Sequence, residues 1–310
     1  MKISFIIPCY NVPFHMLREC VESLLALPLS KEEREVIVID DGSESPLELN
    51  DYPEVQLHRQ ENQGLSAARN SGIALATGDY IQFVDADDAL ILKPYTAVIQ
   101  QARDTGADII HFRLAHTPAP ASSDRPTFQT ADSGVSFMMQ HNLRATACGY
   151  LFRRNLLGSD LRFADGLLHE DEDFTPRLFI RAKRTEYTFA PAYYYRLRTD
   201  SITHRPTRRH IVRRLADTLT ILRRLDALRN SVESLEAKDA MQRRVAQLTA
   251  DLLYNTCHLT HSPLHLEHTV ARLRRYGLLP LPAESYTPRY ALFRLLMQLR
   301  PLRALLALIL

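Results

Sequence analysis

The sequence predicts an α/β protein with a Rossmann-like, mostly parallel central sheet and helices on both faces, followed by an all-helical C-terminal region. In the first third of the chain, short β-branched and aromatic runs alternate with helical patterns, which is the order found in βαβ units. Near residue 207 this alternation gives way to long stretches of helical periodicity. The 310 residues are 45% hydrophobic and 24% charged, which is typical of a globular protein and excludes a disordered chain.

Each element of the first third follows from its residue pattern. Continuous apolar runs that end at Pro, Gly or Asp predict buried strands, and apolar residues at helical spacing predict helices. The strands predicted in this way are Ile3–Ile7, Glu35–Ile39, Tyr80–Val84 and Asp108–Leu114, and Val55–Arg59 has a weaker strand pattern. The predicted helices between them are Phe14–Leu27, Ser66–Ala76 and Pro94–Asp104.

The rest of the chain is less regular at first and then helical. Three prolines and two serines in His116–Ala131 predict an exposed loop. Beyond that loop, the patterns predict the helices Asp132–Asn142 and Asp173–Ala182, an apolar stretch Ala145–Phe152 and a strand Ala192–Leu197. Periodic Leu, Ile and Val then predict the long helices Ile211–Leu228 and Ala240–Leu259, with a Leu-rich segment at Tyr290–Leu310.

Charge and cysteine content exclude several classes of protein. Residues 1–100 carry 16 acidic and 7 basic side chains, and the remainder carries 20 and 31. This uneven distribution argues against a nucleic-acid partner and favours two regions with different roles. The four cysteines are too widely spaced for a zinc site or a disulfide framework, so reduced thiols in a cytoplasmic protein are expected.

Polar clusters follow the predicted strands where each strand ends. Pro8–Asn11, Asp40–Ser43 and Asp85–Asp88 follow three buried strands, and ligands of parallel α/β sheets bind beyond such carboxyl ends. Three carboxylates within Asp85–Asp88 repel one another, and a Mg²⁺ or Mn²⁺ ion that also binds phosphate offsets this repulsion. A turn in which one Asp caps the next helix is the alternative. The glycine-rich dinucleotide, P-loop and hydrolase signatures are absent from the sequence.

Four segments together resemble glycosyltransferase family 2, whose members have the GT-A fold. They are Ile6–Asn11, Val38–Ser43, Asn62–Gly72 and Gly78–Asp88, in the family's order and at its spacing. The resemblance implies an inverting transferase that uses a nucleotide sugar, with a catalytic domain over 1–205. Within it, 1–115 would be the donor half and 116–205 the acceptor half, and 206–310 would form the C-terminal region.

The resemblance also implies roles for individual residues. Pro8, Tyr10 and Asn11 would line the base and ribose pocket, and Asp41 would accept a hydrogen bond from the N3–H of uracil, so the donor would be a UDP-sugar. Arg69, Asp85 and Asp87 would lie along the nucleotide sugar. One carboxylate of the pair Asp87 and Asp88 would hold the divalent metal, and the sequence leaves open which one does.

A late acidic motif, Glu170–Phe174, matches the family's E-D-x-x-F form. The resemblance makes Asp171 the catalytic base, which an inverting displacement requires because the attacking hydroxyl must lose its proton. The alternative is that these acids favour the first turn of a helix, where the helix dipole stabilises them. Arg196 and Arg198 lie in a segment that resembles a later segment of the family. The resemblance implies that one of these arginines contacts the diphosphate, since Arg pairs well with phosphate. A basic turn facing solvent is the alternative for these arginines.

The Leu-rich segment 290–310 interleaves three arginines with apolar residues. This composition favours a helix lying in a membrane interface, and packing on the protein's own core or in a dimer is the alternative. The family implies a glycan or lipid-linked acceptor and cell-surface polysaccharide synthesis. The expected location is therefore the cytoplasm, with peripheral attachment to the membrane as an option.

Two other functions remain in competition at this point. A sugar-phosphate nucleotidyltransferase would need a glycine-rich, basic loop after the first strand, and Pro8–Pro13 contains neither glycine nor a basic residue. A non-catalytic nucleotide-sugar-binding protein or membrane scaffold of the same fold would not need the complete set of acidic motifs. The sequence therefore favours the transferase.

Overall fold

The centre of the N-terminal part is a sheet with nine strands among the residues that this computed structural model describes, which are 1–117, 126–197 and 207–309. The strands are β1 Ile3–Cys9, β2 Arg34–Asp40, β3 Val55–Arg59, β4 Tyr80–Phe83, β5 Ala89–Leu90, β6 Ile109–Ala115, β7 Gln129–Ala131, β8 Tyr150–Arg153 and β9 Thr185–Tyr194. The helices that accompany them are α1 Phe14–Leu25, α2 Leu65–Leu75, α3 Leu92–Thr105, α4 Gly134–Gln140 and α5 Glu170–Phe179.

The sheet is parallel on one side and mixed on the other. Its order is β3-β2-β1-β4-β8-β6-β9-β5, with β7 paired to β9. Strands β3, β2, β1 and β4 are mutually parallel, whereas β8 runs antiparallel to both of its neighbours, β4 and β6. The α/β fold class is confirmed, and the parallel arrangement holds for the half in which helices connect the strands.

Helices cover both faces of the sheet, as predicted. Phe5 and Ile7 belong to the buried cluster that contains side chains of α1 and α3. Ile6 points to the opposite face, where a Cβ on Gly72 of α2 would lie 2.2 Å from its Cγ2 atom. Because successive side chains of a strand alternate between faces, this run of apolar residues is buried on both sides.

Several element bounds differ from the sequence prediction for local reasons. β1 continues through Pro8, because its pairing with β4 ends at Ile6 and leaves no ladder hydrogen bond for the proline to break on that side. α5 begins at Glu170, three residues earlier than expected, and β9 is longer than the predicted strand 192–197 at its N-terminal end. The predicted loop 116–131 contains β7 at its end, and residues 118–125 lie outside the described residues.

The described chain divides into two compact units. One comprises 1–137 with 144–197, and the other comprises 138–143 with 207–309. The second unit contains α6 Arg208–Ser231, α7 Leu235–Thr260, α8 Pro263–Arg275, α9 Pro288–Gln298 and α10 Arg300–Ile309. The segment predicted as one Leu-rich stretch is thus two helices, because Leu299 is extended and Pro301 restricts the chain at the start of α10.

Candidate active site

The carboxyl ends of β2, β1 and β4 bring three predicted polar clusters to one edge of the sheet. Asp40 is the register partner of Cys9, and the amide of Asp41 donates to the Cys9 carbonyl at 2.8 Å. Burial, with smaller contributions from the charges of Asp40 and Asp87, raises the pKa of the Cys9 thiol to about 12. The acidic residues after β2 and β4 therefore lie on either side of the end of β1.

Asp41 organises the loop that leads into α2. Its Oδ1 atom accepts hydrogen bonds from the Gln60 side chain at 2.7 Å and from the Gln63 amide at 3.0 Å. Its Oδ2 atom accepts from the Gly64 amide at 2.8 Å, where a positive φ of 90° suits glycine. Asp41 is buried and sets the shape of the predicted base pocket, and its contact with uracil remains a prediction.

The three residues predicted after β1 differ in their exposure. Pro8 is buried within the strand, whereas Tyr10 is 49% exposed and its ring is accessible to a ligand. Asn11 adopts a left-handed conformation with φ of 50°, which Asn tolerates better than most residues. The backbone amide of Asn11 donates a hydrogen bond to Ser43 Oγ at 3.0 Å, and its side-chain Oδ1 accepts one from the backbone amide of Glu44 at 2.9 Å. Asn11 thus connects the loops after β1 and β2.

Arg69 connects the donor-side acids to the late acidic motif. Its guanidinium lies 2.9 Å from Asp85 Oδ1 and 2.5 Å from Glu170 Oε1. Arg69 is 4% exposed, and it lies over the ring of Phe163 at 5.3 Å from the centroid. Burial by itself would lower the pKa of Arg69. The charges of Asp85 and Glu170 outweigh this effect, so the pKa of Arg69 is raised above its ordinary value. The arginine is therefore charged and holds two distant segments together.

The helix α5 places Asp171 next to this bridge. Phe174, four residues after Glu170, is fully buried and stacks on Phe163 with ring centroids 3.9 Å apart. His169 before the helix is left-handed, with φ of 60°. Asp171 is half-buried, and its charge is among those that raise the pKa of Arg69. The packing of α5 thus presents one partly exposed carboxylate beside the buried Arg69–Glu170 pair.

Asp88, one of the two predicted metal ligands, accepts hydrogen bonds from two groups of the protein. It is 1% exposed, and its two oxygens accept from the Tyr193 hydroxyl at 2.7 Å and from the Arg196 amide at 2.8 Å. Burial, with the charge of Asp85, raises the pKa of Asp88 to about 8. A buried carboxylate whose two oxygens already accept hydrogen bonds is less accessible to a hard cation, and which of Asp87 and Asp88 holds the metal stays a prediction.

Arg196 makes hydrogen bonds within the protein, and its predicted contact with the diphosphate stays a prediction. Its Nε atom donates to the Asp87 carbonyl at 2.9 Å, and its terminal nitrogen pairs with Glu19. The segment after β9 is thereby tied to the acidic loop after β4. Arg198 lies outside the described residues, so its predicted role stays a prediction.

A divalent cation fits this site only if a ligand supplies most of its coordination. Within the described residues, no three His, Cys, Asp or Glu side chains form a ready metal cluster. Asp85 pairs with Arg69, Asp88 accepts from Tyr193, and Asp87 is a half-buried carboxylate of the same motif. Mg²⁺ sites of one carboxylate completed by phosphates and water are common, and the residues present fit such a site.

Sequence reasoning missed two residues that organise the site. Tyr193 lies in the predicted strand Ala192–Leu197, to which the sequence assigns no functional role, yet its hydroxyl accepts a hydrogen bond from the Asp85 backbone amide at 3.0 Å and donates one to Asp88. Glu170 belongs to the late acidic motif, but the sequence predicts no separate role for it. The position of Glu170 directly before the predicted base was a signal in the sequence that it belongs to the site. No local pattern indicated the contact between Tyr193 and Asp88.

Comparison with known proteins gives the family. The sequence model for glycosyl transferase family 2 matches residues 4–157, which contain the four motifs after β1, β2, β3 and β4. The chain belongs to glycosyl transferase family 2. This family 2 chain is 31% identical over 220 residues to the glycosyltransferase YibD of Escherichia coli K12, covering 65% of this chain and 63% of that protein.

Two further similarities are to a curated transferase and to a protein of known structure. The poly(ribitol-phosphate) beta-glucosyltransferase of Bacillus spizizenii is 30% identical, covering 64% of this chain and 33% of its own length. The structure of S. aureus TarS 1–349 matches with a TM-score of 0.64 and 18% identity, covering 90% of this chain and 89% of that one. The complex of the same protein with UDP-GlcNAc matches with a TM-score of 0.58. The structural matches support the GT-A fold.

The family 2 chain spans about 63% of the length of the first curated relatives that it matches. Its matched region includes the donor-side motifs, and the family model ends shortly after β8. Among the described helices, none combines the length and apolar content needed to cross a bilayer.

Proposed function

We propose that this protein is an inverting glycosyltransferase that moves a sugar from a UDP-sugar to an acceptor hydroxyl in cell-surface glycan synthesis. The observation that carries the proposal is the pair of contacts made by Arg69, to Asp85 at 2.9 Å and to Glu170 at 2.5 Å. These contacts hold the donor-side acids beside the helix that bears Asp171. A direct displacement needs both sets of groups at one place.

The nucleotide end of the donor would lie against the loops after β1 and β2. The exposed ring of Tyr10 suits stacking on a nucleobase, and the loop held by Asp41 forms the wall of the pocket. The relative TarS has been solved with UDP-GlcNAc, which supports a uridine nucleotide as the donor. The poly(ribitol-phosphate) glucosyltransferase relative supports a cell-surface glycan as the product.

Asp171 would act as the general base. As the acceptor oxygen attacks the anomeric carbon, Asp171 takes the hydroxyl proton, and the bond from that carbon to the diphosphate breaks. Arg69 lies close enough to Asp171 for their charges to interact, because the charge of Asp171 is among those that raise the pKa of Arg69. Asp87 would hold a Mg²⁺ or Mn²⁺ ion, which when bound neutralises charge on the departing diphosphate.

A donor panel tests the proposal directly. UDP-, GDP- and dTDP-sugars are incubated with the full chain and Mn²⁺, with Mg²⁺ or with EDTA, and release of nucleoside diphosphate is measured. Metal-dependent release from one UDP-sugar supports the transferase. Release of pyrophosphate from a nucleoside triphosphate with a sugar phosphate would instead indicate a nucleotidyltransferase. The same donors are also tested with a mixed panel of glycan and lipid-phosphate acceptors. If UDP binds in a metal-dependent way but no donor is turned over with any of these acceptors, a non-catalytic binding protein is favoured.

A further inference from the structure

The second compact unit contains a cavity that the proposed reaction does not use. It has a volume of about 330 Å³ and lies between α7, α8, α9, α10 and the turn that includes Leu279 and Pro280. Its apolar wall comprises Leu253, Val270, Leu279, Leu281 and Met297. Its polar lining includes Arg274, Arg294 and Arg303. A cavity with an apolar wall and several guanidinium groups suits an anionic, partly apolar ligand.

Two of the three arginines have no acidic partner in the described part of this unit. Arg303 is buried and neutralised, with Nε at 3.0 Å and Nη2 at 3.1 Å from the two carboxylate oxygens of Glu267. By contrast, no ion pair forms at Arg274 or Arg294 within 207–309, and the Nε atom of Arg294 is buried without a hydrogen-bond partner. A buried donor without a partner costs free energy that an anionic ligand would recover.

The surroundings of the cavity are strongly basic. Residues 262–309 contain seven arginines and two glutamates, and one of those glutamates, Glu267, is engaged by Arg303. Three arginines, 272, 274 and 275, occupy the last turn of α8. The net positive charge of this region is therefore complementary to a surface that carries phosphate groups.

Apolar side chains are exposed on the two helices beside the cavity. On α9 and at its end, Leu292, Leu295 and Leu299 are 54–60% exposed at intervals of three and four residues. On α10, Leu305, Leu308 and Ile309 are 52–70% exposed at the same spacing. We call these six residues the leucine face. Exposed apolar residues concentrated on helices, next to unpaired arginines, are typical of helices that lie in a membrane interface.

We propose that the leucine face and the cavity together dock onto an anionic bilayer, with Arg274 and Arg294 binding the phosphate of a phospholipid head group. The apolar wall of the cavity receives the glycerol and upper acyl region of that lipid. The leucine face enters the boundary between head groups and acyl chains. This docking goes beyond the proposed transfer reaction and does not depend on its chemistry, because every residue involved belongs to the second unit.

Vesicle co-sedimentation of the full chain tests the docking. The wild type is expected to sediment with vesicles of equimolar phosphatidylcholine and phosphatidylglycerol, and to stay in the supernatant with phosphatidylcholine alone. The double variant Arg274→Gln/Arg294→Gln is expected to bind roughly thirtyfold more weakly, since each basic residue at an anionic surface contributes about a fivefold factor. The control Arg208→Gln/Arg209→Gln removes the same charge from exposed positions at the start of α6 and is expected to bind nearly as wild type.

The leucine face has its own pair of variants. Leu295→Glu/Leu308→Glu is expected to abolish sedimentation, whereas Leu235→Glu, at a 76% exposed position on α7, is expected to retain it. Circular dichroism and thermal unfolding of each variant report whether it is folded. Because the residues are exposed, these changes are expected to leave the unfolding temperature close to that of wild type.

Three results would overturn the proposal. The first is a wild type that does not sediment with anionic vesicles, or variants that bind as it does. The second is a wild-type dimer in light scattering that Leu295→Glu/Leu308→Glu converts to monomer, which would assign the face to a second copy. The third is stabilisation by inorganic phosphate equal to that by anionic vesicles, which would assign the cavity to a free anion.

Discussion

Arg69 and Glu170 form a buried ion pair although they are 101 residues apart in the sequence, with Nη1 and Oε1 separated by 2.5 Å. The same guanidinium binds Asp85 through its other terminal nitrogen. The pair therefore fixes the position of α5 relative to the acidic loop after β4. It is the contact through which the predicted base and the donor-side acids become parts of one site.

Replacing Arg69 is expected to be strongly destabilising. Arg69→Gln leaves two carboxylates close together without a cation, so we expect the free energy of unfolding to fall by about 3–5 kcal/mol. Urea denaturation measures this change. Arg18→Gln is the control, because Arg18 pairs with Glu22 on an exposed helix face and its loss is expected to cost less than about 1 kcal/mol. Equal losses for the two variants would mean that the buried pair does not hold α5 in place.

Asp171→Asn is expected to remove proton transfer and leave donor binding intact. Loss of a general base lowers turnover by about 10²–10⁴-fold, whereas UDP affinity should change little, because the Arg69 bridge ends at Glu170. Turnover with the active donor and calorimetry with UDP separate the two effects. Asp160→Asn, at a surface ion pair with Arg181, is expected to leave turnover unchanged. Turnover by Asp171→Asn within a few-fold of wild type would assign the base elsewhere.

The neighbouring carboxylates Asp87 and Asp88 are expected to respond differently. Asp87→Asn should eliminate the increase in UDP affinity that Mn²⁺ produces, because it removes the carboxylate proposed to hold the cation. Asp88→Asn should keep that increase and lower the free energy of unfolding by about 1 kcal/mol, since it disturbs the bond from Tyr193. UDP titrations with Mn²⁺ and with EDTA give the answer. Loss of the metal effect in Asp88→Asn alone would reverse the assignment.

Glu35 is expected to make the protein sensitive to acid. Burial would raise the pKa of Glu35, but hydrogen bonds from Ser4, Thr77 and Lys2 outweigh it and lower the pKa from 4.5 to about 2. The folded state therefore holds the ionised form, whose stabilisation is complete above pH 4.5 and is lost as the pH falls towards 2.

The variant Glu35→Gln isolates this effect. At pH 7 we expect it to unfold with a free energy about 1–3 kcal/mol lower than wild type. Between pH 4.5 and pH 2 the wild type should lose stability more steeply, so that the two unfolding curves converge. Denaturant titrations across this range provide the measurement. Parallel pH profiles for the two proteins would show that Glu35 titrates alike in the folded and unfolded chains.

Much of the donor side of the site was predictable from local patterns. The runs that became β1, β2 and β4 are largely apolar and end in polar clusters, and parallel strands bring their carboxyl ends to one edge. The acidic motif that contains Asp171 was visible in the sequence, but the predicted helix began at Asp173 and the structure extends it to Glu170. The individual ligand contacts of these residues remain predictions.

The later part of the chain was less predictable. β8 carries the same kind of apolar run as a parallel strand, and its antiparallel direction depends on β4 and β6 on either side. The exact partners of Asp88 and Arg196 also had no local signal, because Tyr193 lies 105 residues beyond Asp88. Hydrogen bonds between residues so far apart in the sequence depend on how the strands assemble into the sheet.

The sequence by itself determined which residues form strands and helices, and it placed acidic and polar side chains at the strand ends. Those properties depend on the period of apolar residues and on local backbone preferences. Only the tertiary structure decided which acids are paired, buried or accessible. Asp85 and Asp88 are three residues apart, yet Arg69 holds one and Tyr193 the other. The physical reason is that the charge state of a carboxylate depends on its burial and partners, and distant segments supply both.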